Sequence, residues 1–230
     1  LGTAIDNELY KQSGDIWWND AQPLSAIRTS LNPGRLAHLA IVLRQTGLDL
    51  HGLTALDVGC GGGLLAEEMA RLGFAVTGVD PADNSLATAR AHAAQSALAI
   101  DYRRGTAESL PCDDASFDFV YCCDVLEHVD SVDRAVAEAA RVLKPGGVYL
   151  YDTINRTFLS KLIYIKLFQE WGWTSWMPPN LHTWEKFIPR ASCSGCLPST
   201  VLSRATFQGW SRAQSRRNCC ACCGSVSAAA

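Results

Sequence analysis

The chain has 230 residues, 48% of them hydrophobic and 19% charged, with a net charge of −3. That length and apolar content suit one globular domain with a full core, and the near-neutral balance without a basic face argues against a nucleic-acid substrate. No secretory signal and no run of about 20 apolar residues able to cross a bilayer stands in the sequence.

In chain order, residues 4–20 form an amphipathic start that ends in Trp17-Trp18, and Pro23 to Arg35 reads as a turn-rich connector broken most sharply at Asn32-Pro33-Gly34. Leu36 to Thr46 has helical spacing and Gly47 to Gly52 reads as a loop. Strands and helices then alternate: strand 53–58, helix 64–72, strand 74–79, helix 84–95, strand 99–103, a loop carrying Ala107-Glu108-Ser109-Leu110-Pro111, strand 117–122, helix 131–142 and strand 147–152. This alternation predicts right-handed βαβ units and a mainly parallel, doubly wound α/β sheet with helices on both faces.

The pattern changes beyond Thr153. Residues 157–177 are rich in bulky apolar groups interrupted by Lys161, Lys166 and Glu170, which excludes a membrane span. An interfacial helix or a lid over an apolar pocket, and equally a core helix, fit that composition. From Ala191 onward no Asp or Glu appears and no period persists, so residues 190–230 are expected to be a disordered or frame-shifted tail. Cys60, Cys112, Cys122 and Cys123 read as small buried or loop residues of a reducing compartment. The six later cysteines include Cys193-x-x-Cys196, but adjacent pairs such as Cys219-Cys220 chelate poorly and the region lacks other zinc-site context.

Residues 56–63, Leu-Asp-Val-Gly-Cys-Gly-Gly-Gly, run a buried strand into a glycine loop and then a helix. Small residues let a ligand approach the backbone there, and the helix N-terminus offers free N–H groups. A dinucleotide fingerprint would place its third glycine at position 64, which is Leu64. The spacing is instead Asp57-x-Gly59-x-Gly61-x-Gly63, which resembles S-adenosylmethionine-dependent methyltransferases. Asp80 ends the next apolar strand, where a carboxylate accepts hydrogen bonds from ribose hydroxyls. It is equally placed to cap the following helix, and the two roles are compatible.

With Leu143-Lys-Pro-Gly-Gly147 and Asp124-Val-Leu-Glu-His-Val129, the chain resembles class I methyltransferases and their Rossmann-like fold. Trp17-Trp18, Asn32-Pro-Gly-Arg35-Leu, Cys123-Asp-Val-Leu-Glu-His, Thr153-Ile-Asn-Arg156 and His182-x-Trp-x-Lys-Phe-Ile188 narrow this to a resemblance to the O-methyltransferases of ubiquinone biosynthesis, over roughly residues 5–189. The resemblance departs at Pro178-Pro-Asn-Leu, where a glycine-bearing turn is expected. It implies a helical cap over the active site in residues 1–52, a cofactor-binding domain in 53–189 with an apolar lid at 157–177, and a closing antiparallel hairpin. For that hairpin only Thr200-Val-Leu and Ala205-Thr-Phe look strand-like. It further implies an acceptor that is a polyprenylated phenol or catechol, and a cytoplasmic protein that meets the inner membrane face peripherally. A soluble phenol as acceptor, or a cofactor-binding protein inactivated by its tail, are the alternatives. Oligomeric state is not legible.

By the same resemblance Arg35 meets the cofactor carboxylate, with Asp57, Gly59, Gly61 and Gly63 in the loop, Asp80 on the ribose, Cys123 beside the ligand and Glu108 near the adenine or in a loop cap. The acceptor poses a separate problem, because a phenol with a pKa near ~10 must be deprotonated. Asp124, Glu127 and His128 stand at i, i+3 and i+4, one face if the segment is helical. They fit three readings: ligands of Mg²⁺ or a similar ion holding a catecholate, a metal-free site with His128 as general base, or groups that cap and pack the turn.

Overall fold

A computed structural model describes residues 16–46, 50–175, 182–188 and 201–204. Six strands form one sheet: β1 (Thr54–Val58), β2 (Ala75–Asp80), β3 (Asp101–Arg104), β4 (Phe117–Cys123), β5 (Leu143–Asp152) and β6 (Val201–Arg204). Their order is β3-β2-β1-β4-β5-β6 and every pairing is parallel. Among the described residues four α-helices of two turns or more accompany them: α1 (Asn32–Thr46), α2 (Leu64–Arg71), α3 (Asp83–Gln95) and α4 (Val132–Val142).

Alternating strand residues build two cores. On one face, Ala66 and Met69 of α2, Leu86, Ala89 and Ala93 of α3 and Leu39 of α1 pack on Ala55, Val76, Phe119, Tyr121 and Leu150. On the other, Ala135, Ala139 and Val142 of α4 pack on Leu56, Val58, Val79, Val120, Cys122 and Tyr149. The spacing i, i+4, i+7 on α4 puts its three buried contacts on one stripe, and Ser131 caps the helix by accepting the Arg134 N–H. Truncating a fully buried member such as Leu56 to alanine costs about 2–5 kcal/mol.

Two boundaries differ from the sequence reading by more than two residues. Helical backbone begins well before Leu36: a 3₁₀ turn (Pro23–Ser25) and a π-helix (Ile27–Leu31) lead straight into α1. Pro33 lacks an N–H, and it falls where the bonding changes from the π to the α pattern, with Asn32 N–H still bonded to Ile27 O. A missing donor disrupts least there, so Asn32-Pro33-Gly34 does not break the chain. β5 begins at Leu143 rather than 147, because Lys144 to Gly147 form an irregularity inside the strand: the register passes from Phe117↔Leu143 to Phe119↔Val148, with Gly146 at φ +79°.

After β5 a short α-helical turn (Phe158–Ser160), capped by Thr157, continues as a π-helix (Lys161–Glu170). Ile165 joins Ile154 and Phe187 in a small core, so part of this segment is core as its composition allowed. Phe158 and Trp173 are instead 81% and 85% exposed, with Leu159 and Trp171 also outward. β6 lies parallel to β5, pairing Tyr149 with Val201. Residues 189–200 and 205–230, with the expected tail, the zinc-like cysteine spacing and the second strand-like run, lie outside the described residues. Among the described residues no helix is long and apolar enough to cross a membrane.

Candidate active site

Strand order reverses between β1 and β4, and the chemistry gathers at the carboxyl ends of those strands and their neighbours, where open α/β sheets bind ligands. Register aligns Val58 with Val79 and with Cys122, and Cys123 with Asp152. The glycine loop leaves β1 with Gly59 N–H and Cys60 N–H both donating to Val79 O, at 2.7 and 3.1 Å. Gly59, Gly61 and Gly63 have φ of +73°, +51° and +83°. Side chains rarely adopt this region, and a Cβ at Gly59 would also stand 2.3 Å from Val125 Cγ2.

Asp80 holds this loop. Its carboxylate accepts Gly61 N–H at 2.9 Å and Ala82 N–H at 2.8 Å, so it ties the loop to the start of α3. Burial pushes the group up, and the two N–H donors oppose that. Asp57 lies fully buried beside it, facing the Tyr121 hydroxyl and the Ala66 N–H at the start of α2. Burial, and then the neighbouring Asp80 charge, push Asp57 up to about 8.

The other side of the site is built on Arg35 of α1. Its guanidinium donates from Nε to Asp152 Oδ2 at 2.6 Å and from Nη2 to Asp152 Oδ1 at 2.9 Å, reaches Asp124 with the same Nη2, and gives Nη1 to Asn32 Oδ1 at 3.2 Å. Burial works against the arginine charge, but Asp124, Cys123 and Asp152 outweigh it. The chain thus supplies two carboxylates of its own to the arginine that the resemblance assigns to the cofactor carboxylate. Cys123 lies beside this network, its thiol pushed well up by burial and by Asp152.

Residues 124–130 form a turn rather than a helix, with Asp124 at φ +55° and His128 N–H bonded to Val125 O. The helical face that would present Asp124, Glu127 and His128 together is therefore absent, and Asp124 faces Arg35. Glu127 is buried, accepts the Thr153 hydroxyl at 2.8 Å through Oε2 and leaves Oε1 without a protein partner. Burial, then Asp124, push it up to about 8. Its neighbour on the other side is His182, whose ring lies 5.2 Å from that of His128. Gln169 of the π-helix fixes His182 by accepting its N–H at 2.8 Å and donating to its carbonyl at 3.1 Å. Burial holds both imidazoles down to about 4, so both are neutral near pH 7.

Glu127, His128 and His182 offer ligand atoms within 4.8 Å of one another. That set does not fit Mg²⁺, which requires oxygen ligands in octahedral array, because two of its three donors are imidazoles and Asp124 is engaged elsewhere. Of the three readings of Asp124, Glu127 and His128, the Mg²⁺ one gains no support from this donor set.

A cavity of about 370 Å³ joins both halves: Gly59, Asp80 and Trp17 border it with Arg35, Asp124 and His128. Five acidic side chains line it (Asp57, Asp80, Glu108, Asp124 and Asp130), of which Asp57 holds its proton near pH 7, against the single guanidinium of Arg35. Such a field suits a cationic ligand and disfavours a pyrophosphate. Glu108 borders the cavity while its Oε1 accepts Asp130 N–H at 2.7 Å and Ser131 N–H at 3.4 Å, the loop-cap role of its two readings.

A methyltransferase-domain family model matches residues 56–151, the span from β1 to β5. The ubiquinone biosynthesis O-methyltransferase of Methylobacterium nodulans is 35% identical over 212 residues, covering 88% of this chain and 84% of that one. Its counterpart from Methylobacterium sp. strain 4-46 is 40% identical over 207 residues, 87% of this chain and 82% of the relative. The chain belongs to the ubiquinone biosynthesis O-methyltransferase family. It is therefore an S-adenosylmethionine-dependent O-methyltransferase. Among solved structures, the PH0226 protein from Pyrococcus horikoshii superposes with a TM-score of 0.53 at 25% identity, over 70% of each chain, in keeping with the Rossmann-like fold.

In this O-methyltransferase, sequence reasoning assigned no role to Asp152, Thr153 or His182. Thr153 and His182 stand in motifs that carry the family resemblance, and Asp152 ends the fifth strand just as Asp80 ends the second. That parallel was the available signal.

Proposed function

We propose that the protein methylates a phenol or catechol oxygen of a lipid-tailed ubiquinone precursor, with cofactor and acceptor meeting in the one acid-lined cavity. The observation that carries this reading is that the glycine loop with Asp80, and Asp124 with His128, border the same space. The glycine backbone and Asp80 hold the nucleoside end, and the carboxylates complement the positive charge of the co-substrate. When bound, S-adenosylmethionine supplies a methyl group on a sulfonium.

The chain's remaining task is to orient the acceptor hydroxyl and remove its proton. His128 is the group for this: it borders the cavity, is neutral, and has the Asp124 carboxylate near it to favour the charge it gains. Arg35 keeps Asp124 and Asp152 fixed, so the turn carrying His128 is held from β5. Loss of water from a site this buried favours proton transfer only once the acceptor is seated.

A tail on the acceptor is supported by the exposed Phe158, Leu159, Trp171 and Trp173, which also suit peripheral contact with a bilayer. Lys161 and Lys166 of the same segment are both engaged within the chain. Lys166 pairs with Glu170, and the Lys161 ammonium lies 5.2 Å from the Trp184 ring centre. Comparing kcat/KM on a prenylated catechol and its tail-free parent tests the substrate class. The tailed acceptor is expected to be favoured by at least about tenfold, since each buried CH₂ contributes about 0.8 kcal/mol. Equal values would reject the tail.

A further inference from the structure

We propose that Trp17 is a cofactor-positioning residue, whose indole holds the Gly61–Gly62 arch in place and forms one wall of the cofactor cavity. This rests on the reading that the cavity holds S-adenosylmethionine. Gly62 is the point of departure. Unlike Gly59, Gly61 and Gly63 it does not adopt a positive φ, so its conformation does not call for glycine. A Cβ there would lie 2.3 Å from Trp17 Cγ and 2.4 Å from Trp17 Cβ, the root of the side chain rather than its movable end. A Cβ at Gly61 would meet the far edge of the same ring, 2.5 Å from Cη2. The indole is therefore seated flush on two successive loop residues.

Hydrogen bonds fix it there. Trp17 Nε1–H donates to Ser85 Oγ at 3.1 Å, which anchors the ring to the first turn of α3. The next residue repeats the device: Trp18 Nε1–H donates to Gly62 O at 2.8 Å, and its ring stacks on His92 of α3 with 3.4 Å between centroids. Asp80 meanwhile holds Gly61 N–H from the sheet side. The arch is thus clamped by Asp80 below and by the two indoles above, while Trp17 also borders the cavity. Asp124, Glu127 and His128 are held by a separate set of contacts, through Arg35, Asp152 and Thr153, so Trp17 acts on the cofactor and not on proton removal.

Calorimetric titration with S-adenosylhomocysteine tests this on wild type, Trp17→Ala, Trp17→Phe, Gly62→Ala and the Trp17→Ala/Gly62→Ala double variant, with steady-state kinetics and melting curves alongside. Trp17→Ala is expected to raise Kd about 10- to 50-fold, while kcat at saturating co-substrate falls less than about twofold and Trp17→Phe recovers most of the affinity. Gly62→Ala alone is expected to weaken binding by a similar factor. The double variant is expected to lose less than the two single losses combined, because the added methyl no longer meets the ring and only its contact with the Cβ at position 17 remains. Unchanged Kd in Trp17→Ala, additive losses in the double variant, or a kcat loss matching the Kd loss with no rescue by Phe would each overturn the inference. Wild-type protein that binds no S-adenosylhomocysteine would instead overturn the cofactor reading beneath it.

Discussion

Asp80 reaches back from the end of β2 to accept the Gly61 N–H at 2.9 Å, so the acid expected to meet a ribose is also the strut of the glycine loop. Replacing it removes two things, charge-assisted acceptance from the ribose and the conformation of the loop. Asp80→Ala is expected to weaken S-adenosylhomocysteine binding by about 10- to 100-fold, with Asp80→Asn intermediate because one acceptor oxygen survives. Calorimetry decides it: an unchanged Kd, or tighter binding of NAD, would show that the loop does not serve this co-substrate.

His128 is expected to act on the acceptor alone. His128→Ala should depress turnover by ~10²–10⁴ with cofactor affinity within about twofold of wild type. Because the donors around it do not suit Mg²⁺, EDTA treatment is expected to leave the rate unchanged. A rate lost on chelation and restored by Mg²⁺ would contradict this, and normal turnover in the variant would return His128 to a packing role.

Much of this site was legible from local pattern. The run from strand 53–58 through the glycine loop to helix 64–72 is fixed by apolar period and by glycine chemistry within one stretch, and the observed β1 and α2 match it to within a residue at each end. What was not legible depends on contacts between distant residues. Arg35 and Asp124 are 89 positions apart, and nothing local says that an ion pair with Arg35 engages Asp124. His182 is set in the site by the Gln169 clamp on a π-helix, whose i+5 bonding no apolar period announces. Pro33 misled for the opposite reason, since a strong local breaker was absorbed by the π-to-α transition around it.

The buried acids and imidazoles set a pH optimum of stability for the ligand-free protein. Glu127 and Asp57, held up to about 8, keep a proton in the fold over a range where the unfolded chain has released it, so stability falls as pH rises from about 4 to 8. His128 and His182, held down to about 4, refuse a proton that unfolded imidazoles accept below about 6.5, so stability also falls as pH drops through that window. Scanning calorimetry is expected to give the highest Tm near pH ~6, a decline of at least ~3 °C by pH ~8.5, and a shallower alkaline decline in Glu127→Gln. A Tm rising steadily to pH ~8.5 would contradict these assignments.

Vesicle flotation tests the exposed aromatic segment. Since Lys166 is neutralised by Glu170, binding is expected to depend on Phe158, Trp171 and Trp173 more than on anionic lipid. A Phe158→Ser/Trp173→Ser variant should remain with the soluble fraction while retaining turnover on a tail-free catechol. Wild-type protein that fails to float with either neutral or anionic vesicles would remove the membrane from the account.

The central claim is that the acid-lined cavity brings a sulfonium methyl to a phenolic oxygen. Incubating the protein with methyl-labelled S-adenosylmethionine and a prenylated catechol, then locating the label by mass spectrometry, tests it most directly. The account predicts one labelled methyl on a ring oxygen of the acceptor in wild type, reduced at least ~100-fold in His128→Ala. Label on carbon or nitrogen, or no transfer by protein that calorimetry shows to bind S-adenosylhomocysteine, would contradict it.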